Sequence, residues 1–176
     1  MRSNIWTTAA ATTAAAVGAI SISYRSSLAT VTVLGVGTLI LGVLAGIDIA
    51  THRLPNPIVA ALALYAVTAV VTAGLITGDN GRIVSAVTVG LVFLAIGTGM
   101  AFAGMMGMGD AKLGFPIGIA AGWFGPVAVL VTIGVTAATG AIAGLVVIAN
   151  QGRNTEISYG PFLAMGSVAG VIAASS

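Results

Sequence analysis

The chain has 176 residues, of which 58% are hydrophobic and only 6% are charged, with six basic and four acidic side chains. Soluble domains carry about 25% charged residues, so this composition excludes a water-soluble globular domain and predicts a polytopic membrane protein. The sequence has no cysteine and one histidine, which excludes thiolate chemistry and argues against a histidine-based metal site, and no basic run supports nucleic-acid binding.

Long apolar segments fill most of the chain. A membrane-crossing helix needs about 20 apolar residues, because the hydrocarbon core is about 30 Å thick and a helix rises about 1.5 Å per residue. The segments are too long and too continuous for barrel strands, so we predict an all-α membrane bundle of six or seven transmembrane helices in a single domain, 1–176. The predicted segments are 6–22, 28–49, 57–76, 83–102, 111–123, 126–149 and 162–174.

The first of these segments, 6–22, follows a weakly basic N-terminus and is rich in alanine and threonine. Two interpretations fit it. One is a signal peptide, and the other, which we favour, is an extra N-terminal helix within residues 1–27.

Several segments carry glycines four positions apart, a spacing that lets membrane helices approach closely. Some such pairs are expected by chance in a chain with 25 glycines, but together they favour tight helix packing. The pairs are Gly42/Gly46, Gly74/Gly78, Gly114/Gly118, Gly118/Gly122, Gly140/Gly144 and Gly166/Gly170.

Two aspartates stand at the borders of apolar segments. Asp48 lies near the end of segment 28–49, and Asp110 precedes segment 111–123. A carboxylate beside the bilayer core is costly to keep, so each is a candidate functional residue. Between them the chain crosses the membrane out and back, which puts both on one face.

Basic residues near the helix ends assign that face to the cytoplasm, because inner loops are enriched in lysine and arginine. With a cytoplasmic N-terminus, the outer loops hold two basic residues and the inner loops hold four. The outer ones are Arg25 and Arg82, and the inner ones are Arg2, Arg53, Lys112 and Arg153.

A pair of aspartates can hydrolyse a peptide bond without cysteine, histidine or metal. Two nearby carboxylates share one proton, so the ionised one acts as general base on a water and the protonated one polarises the scissile carbonyl. Gly107 and Gly109 fit beside Asp110, since they remove bulk, break the helix and allow unusual backbone angles. Asp110 is then expected near the N-terminus of a helix that begins at Ala111, where the helix dipole favours its charged form.

Three motifs together give the sequence a specific resemblance. The first runs from Asp48 through Arg53, Leu54, Pro55 and Asn56, the second is Gly107-Met108-Gly109-Asp110-Ala111-Lys112-Leu113, and the third runs from Tyr159 to Gly166. In these residues and their order, the chain resembles the type IV prepilin peptidases, the Gly-x-Gly-Asp family of membrane aspartic proteases. The resemblance spans residues 28–174 and makes 28–176 the peptidase-like core.

The resemblance implies that Asp48 and Asp110 are catalytic and that the chain cleaves leader peptides from prepilins or pilin-like precursors at the cytoplasmic face of a bacterial or archaeal cell membrane. The implied partners are that substrate and the lipid bilayer, and no cofactor or metal is expected. Larger family members carry paired Cys-x-x-Cys motifs linked to methylation. Because this chain has no cysteine, it is similar to the short, peptidase-only kind associated with tight-adherence (Flp-type) pili.

Other motif residues are expected to support the dyad, each with a plainer alternative. Arg53 pairs with Asp48 or anchors its loop to anionic headgroups, and Pro55 and Asn56 start the next helix. Lys112 tunes Asp110 or contacts substrate, or it is only a positive-inside anchor. Two further sets are candidate substrate contacts or, alternatively, apolar filling and a helix start: Met105, Met106 and Met108, and Gly160 and Pro161.

Two rival functions are weighed against this one. Presenilin-type and signal-peptide-peptidase-type proteases also use Gly-x-Gly-Asp, but they place the first aspartate after tyrosine and carry a Pro-Ala-Leu motif. Here Asp48 follows Ile47 and that motif is absent. A small transporter, or a non-catalytic pilus-assembly scaffold, is the other rival. Aspartates in opposite halves of the bilayer would favour a transporter.

Overall fold

A computed structural model describes residues 56–151 and 159–175, which form five α-helices, with no strand within those two ranges. The helices are α1 (Asn56–Thr77), α2 (Asn80–Phe102), α3 (Met108–Phe124), α4 (Pro126–Gln151) and α5 (Gly160–Ser175). Each matches one predicted apolar segment, although the ends differ. Segments 6–22 and 28–49 lie outside the described residues, so the total of six or seven crossings stays a prediction.

Three of the helices are long and apolar enough to cross a membrane: α1, α2 and residues Pro126–Val146 of α4. The 22 residues of α1 give a length of about 33 Å, which matches the thickness of the hydrocarbon core. By contrast, α3 has 17 residues and α5 has 16, so each is about 25 Å long. The two short helices lie among longer neighbours.

Two of the connections use the same helix ending. At the end of α2, Gly104 has φ +72°, and the Met105 N–H donates to the Met100 carbonyl at 2.9 Å. This hydrogen bond joins residues five positions apart around a glycine in the left-handed conformation, which is a Schellman motif. At the end of α1, Gly78 has φ +72° and the Asp79 N–H bonds the Gly74 carbonyl at 3.0 Å. These glycines stop α1 and α2 and turn the chain back.

The α3 helix is the centre of the described bundle. More than half of its residues are buried, and it contacts each of the other four described helices. Its closest neighbour is α2, because glycines remove side chains from the contact. A Cβ atom on Gly118 would lie 2.8 Å from the Gly90 Cα, and one on Gly122 would lie 2.8 Å from the Ala86 Cα. The predicted Gly114/Gly118/Gly122 spacing therefore does form a helix seam.

The predicted Gly166/Gly170 pair forms the second seam, between α5 and α4. A Cβ on Gly166 would lie 2.6 Å from the Thr132 carbonyl oxygen, and one on Gly170 would lie 2.6 Å from the Ala128 oxygen. The Gly74/Gly78 pair does not join two helices along a seam, because Gly78 ends α1 and Gly74 makes room for the Ile83 side chain.

The hairpin order of the helices puts the N-termini of α1, α3 and α5 at one end of the bundle, which we call the Asp110 end. Two long-range hydrogen bonds at that end, Lys112 to Asn56 and Tyr159 to Asp110, join the three helices. The opposite end holds the Asp79–Arg82 ion pair at 3.1 Å, with the Arg82 guanidinium 5.9 Å from the centre of the Trp123 ring. The two ends therefore carry different charged groups.

Candidate active site

Asp110 lies in the first turn of α3 and is only 6% exposed. The helix begins at Met108, three positions earlier than the sequence predicted, with Gly107 as its N-cap. Glycine is accepted at an N-cap, and a carboxylate in the first turn is stabilised by the helix dipole. The prediction that Asp110 stands near a helix N-terminus is confirmed, although the helix starts before it and includes Gly109.

Gly107 does not have the unusual backbone that the sequence suggested. Its φ of −70° and ψ of 144° are extended angles open to any residue. A Cβ there would lie 3.6 Å from Asp110 Oδ2, which is an ordinary contact. The residue that turns the chain is Gly104, which lies two residues beyond the end of α2 and outside the motif. Gly107 therefore leaves the space beside the Asp110 carboxylate open without bending the chain.

The third motif reaches Asp110 through the backbone. The Tyr159 N–H donates to Asp110 Oδ2 at 3.3 Å. Tyr159 directly precedes α5, and its own carbonyl accepts from the N–H groups of Phe162 and Leu163 at 3.1 Å each. Its peptide is thus held at the start of α5 while its N–H faces α3.

The first and second motifs meet through their side chains. The Lys112 Nζ donates to the Asn56 Oδ1 at 2.9 Å across the gap between α3 and α1. Both residues are exposed at the Asp110 end. Asn56 is the last residue of the first motif, whereas Asp48, Arg53 and Pro55 lie outside the described residues, so their predicted roles stay predictions.

The three methionines predicted as candidate substrate contacts lie in two different environments. Met105 and Met108 are 63% and 42% exposed at the Asp110 end, while Met106 is partly buried. Met106 packs on an apolar cluster between α1, α3 and α5, so its described role is filling. That cluster consists of Val59, Leu62, Leu113, Ile117 and Leu163.

Gly160 and Pro161 open α5, as the helix-start interpretation predicted. Gly160 is buried and Pro161 partly buried. Proline is well placed at the beginning of a helix because the first turn has N–H groups without helical partners. Contact of either residue with a substrate stays a prediction.

Sequence reasoning missed three contributors to this site. Tyr159 has no predicted role of its own, because a backbone N–H donor cannot be recognised from the type of side chain. Gly104 could have been found, since a glycine one residue beyond a helix C-cap is a common ending. Gly140, which lies under the Tyr159 ring, had no signal beyond its glycine spacing.

The described residues contain no group of three or more His, Cys, Asp or Glu side chains that could hold a metal ion. The polar groups gathered at the Asp110 end are instead a buried carboxylate, a backbone N–H, an ammonium and an amide. Such a set can hold a carboxylate in a fixed orientation beside an apolar wall.

Comparison with known proteins gives one family match. Residues 35–145 match the family described as the type IV leader peptidase family. The matched stretch contains both Asp48 and Asp110 and is more than half of the chain. No curated protein and no solved structure matches the chain. The chain therefore belongs to the type IV leader peptidase family.

Proposed function

We propose that this protein is a membrane aspartic endopeptidase that removes the leader peptide from prepilins or pilin-like precursors, with Asp48 and Asp110 as its catalytic pair. The observation that carries the proposal is the meeting of three motifs at one end of the bundle. Tyr159 of the third motif bonds Asp110 of the second, and Lys112 of the second bonds Asn56 of the first.

Chain connectivity supports a place for Asp48 near this group. Asn56 begins α1 at the Asp110 end, and Asp48 precedes it by only eight positions along the chain. A stretch of that length extends at most about 3.5 Å per residue, and it leads to the preceding apolar segment, 28–49. A helix from that segment would end at the same membrane face as α3 begins.

The reaction follows from one shared proton. The ionised carboxylate takes a proton from a water molecule, whose oxygen attacks the scissile carbonyl carbon. The protonated carboxyl gives its proton to the carbonyl oxygen, which forms a tetrahedral gem-diol. The carboxyl that took the proton from water then gives it to the leaving amine, while the other carboxylate takes a proton from a gem-diol hydroxyl and the C–N bond breaks. The Tyr159 N–H orients the Asp110 carboxylate for these transfers.

The lengths of the helices suggest how a membrane-embedded precursor reaches the dyad. The α3 helix is about 25 Å long and shorter than the hydrocarbon core, and we infer that its first turn, which holds Asp110, lies near the cytoplasmic border of the membrane. Met105 and Met108, whose side chains are exposed, precede Asp110 by five and two positions in the chain. A pilin's apolar helix would contact these flexible side chains in the bilayer while its leader reaches the dyad from the cytoplasm.

The decisive experiment is co-expression with a Flp-type prepilin, followed by the mobility shift that leader removal causes. We expect the unaltered chain to cleave the precursor, and the variants Asp48→Asn and Asp110→Asn to insert normally but leave it uncleaved. Asp79→Asn is the matched control, because Asp79 lies at the opposite end and caps α2. Normal processing by either dyad variant would overturn the assignment.

A second experiment separates the peptidase from the transporter rival. The chain has no cysteine, so a cross-link within it can form only between the two introduced thiols. We expect the Asp48→Cys/Asp110→Cys variant to form an oxidative or short maleimide cross-link in membranes. The Asp48→Cys/Asp79→Cys variant should not do so, because Asp79 lies at the other end of α1. The reverse pattern would place the two aspartates in opposite halves of the bilayer and favour a transporter.

A further inference from the structure

We propose that Gly140 and Tyr159 are positioning residues for Asp110, through a contact relay that runs from α4 to the carboxylate. The relay has three steps: Gly140 admits the Tyr159 ring, the ring fixes the Tyr159 peptide, and the N–H of that peptide holds Asp110. The inference rests on the proposed function, because it assigns a role toward the catalytic pair.

The first step is a close approach that only glycine permits without adjustment. A Cβ on Gly140 would lie 3.2 Å from the Tyr159 Cε1 and 3.6 Å from its Cζ and Oη. Contacts of 3.2 Å are tighter than carbon atoms normally make, so any larger side chain at this buried position would push the ring away. The ring therefore lies directly on the backbone of α4.

The second step is a further contact that holds the ring. The Phe162 ring meets it edge to face, with 6.1 Å between ring centres and 82° between ring planes. Such pairs are stabilised beyond their buried area. These contacts with α4 and with Phe162 restrict the ring, and the Tyr159 peptide shares that constraint.

The third step is the 3.3 Å bond from the Tyr159 N–H to Asp110 Oδ2. Its length leaves little margin, since N–H···O bonds weaken beyond about 3.2 Å. A small displacement of the Tyr159 ring would therefore release or rotate the carboxylate. Misplacement of a reacting group by about 1 Å can lower a rate by about 100-fold.

The relay gives α4 a part in catalysis although α4 carries none of the three motifs. Gly134 supplies a matched comparison on the same helix, because a Cβ there would meet nothing within 4 Å. The two glycines thus differ in their contact with Tyr159 while sharing residue type and helix.

The test compares Gly140→Val with Gly134→Val in steady-state cleavage of a prepilin by the full-length protein in lipid nanodiscs. We expect Gly140→Val to lower kcat by about tenfold or more with KM changed by less than about twofold, because orientation of Asp110 acts on the transition state. Gly134→Val should keep both constants. Equal kcat for the two variants would overturn the proposal.

A double-mutant cycle checks that the effect passes through the ring. Tyr159→Phe keeps the ring and should retain kcat within about twofold, whereas Tyr159→Leu should lower it. Adding Gly140→Val to Tyr159→Leu should cause little further loss, since the displaced ring is already absent. A full additional loss in that background would overturn the relay. If Gly140→Val does not fold, Gly140→Ala replaces it, because its Cβ needs a shift of only a few tenths of an ångström.

This result is separable from that of the proposed function. Cleavage of the precursor by the Asp110→Asn variant would reject the proposed catalytic pair itself. Loss of cleavage in Asp110→Asn together with unchanged kcat in Gly140→Val would reject only the relay.

Discussion

At the scale of single residues, the structure shows how a buried carboxylate is held. Asp110 is buried, but it lies in the first turn of a helix and accepts a hydrogen bond from the Tyr159 N–H. Both features favour the ionised form of a carboxylate. The helix N-terminus was predictable, because it follows from glycines before an apolar run. The Tyr159 bond was not, because any residue supplies a backbone N–H.

The Lys112–Asn56 bond separates two interpretations of Lys112. If its role is the 2.9 Å bond that ties α3 to the start of α1, Lys112→Met should lower kcat/KM by about 2- to 12-fold, the equivalent of an exposed hydrogen bond of about 0.5–1.5 kcal/mol. Lys112→Gln, which can still donate to Asn56, should keep most of the activity. The measurement is cleavage of the same prepilin by both variants.

Equal losses in the Met and Gln variants would contradict this prediction, since both variants lack the charge but only the Met variant lacks a donor. In that case the ammonium charge near the carboxylate, or near the membrane surface, would be the important property.

At the scale of helices, apolar length and turn residues predicted every described element. Pro126, the Gly78–Asp79 connection and the polar stretch before Gly160 separate runs that are too apolar to be loops. The predicted start of α3 is three positions too late, because Gly107 and Gly109 suggest a helix break at that point. The break is at Gly104, and helices accept glycine near their first turn when packing on neighbours stabilises them.

The glycine spacing predicted two helix seams correctly but gave no means to tell them from chance pairs. Gly118 packs on the backbone of α2, whereas Gly140 accommodates an aromatic ring and Gly78 ends a helix. Spacing alone states which glycines share a helix face. Whether a helix backbone or a side chain packs against that face depends on the tertiary structure.

The α2–α3 seam gives an element-scale prediction. Gly118→Ala would bring a Cβ to 2.8 Å from the Gly90 Cα and the Val89 carbonyl oxygen, and backbone atoms cannot rotate away. We expect a loss of about 1–3 kcal/mol in stability, the usual cost of overpacking. The measurement is reversible unfolding in mixed detergent micelles.

Gly99→Ala on α2 is the control, because nothing lies within 4 Å of its Cβ position. This change should be neutral or stabilise by up to about 1 kcal/mol through helix propensity. Destabilisation by Gly99→Ala equal to that of Gly118→Ala would mean that glycine itself, and not close approach at the seam, is needed in these helices.

At the scale of the whole molecule, the alternation of helices decides which motifs meet. The odd-numbered helices α1, α3 and α5 all begin at the Asp110 end, and each begins within or beside one of the three motifs. Counting crossings predicted a shared face for the first and second motifs, and Asn56 of the first motif does lie at the Asp110 end. The contacts among the three motifs could not be predicted, because they depend on how the helices pack.

The two ends of the bundle give a prediction about orientation. If the Asp110 end faces the cytoplasm, a thiol introduced by Lys112→Cys, at an exposed polar position near the start of α3, should react with a membrane-impermeant maleimide only in inverted vesicles. One introduced by Asn80→Cys, at the exposed start of α2, should react only in intact cells. The chain's lack of cysteine removes any background reaction.

The reversed labelling pattern would contradict the proposed function, because it would put the Asp110 end on the outer face of the membrane. Leader peptides of membrane-embedded precursors are processed where the basic leader remains, and positive charge is retained on the cytoplasmic side. A dyad that opens to the outside could not reach such a leader, however well its carboxylates were placed. Labelling of both positions from one side would instead mean that α2 does not cross the membrane, and Asp110 and Asp79 would then share a face.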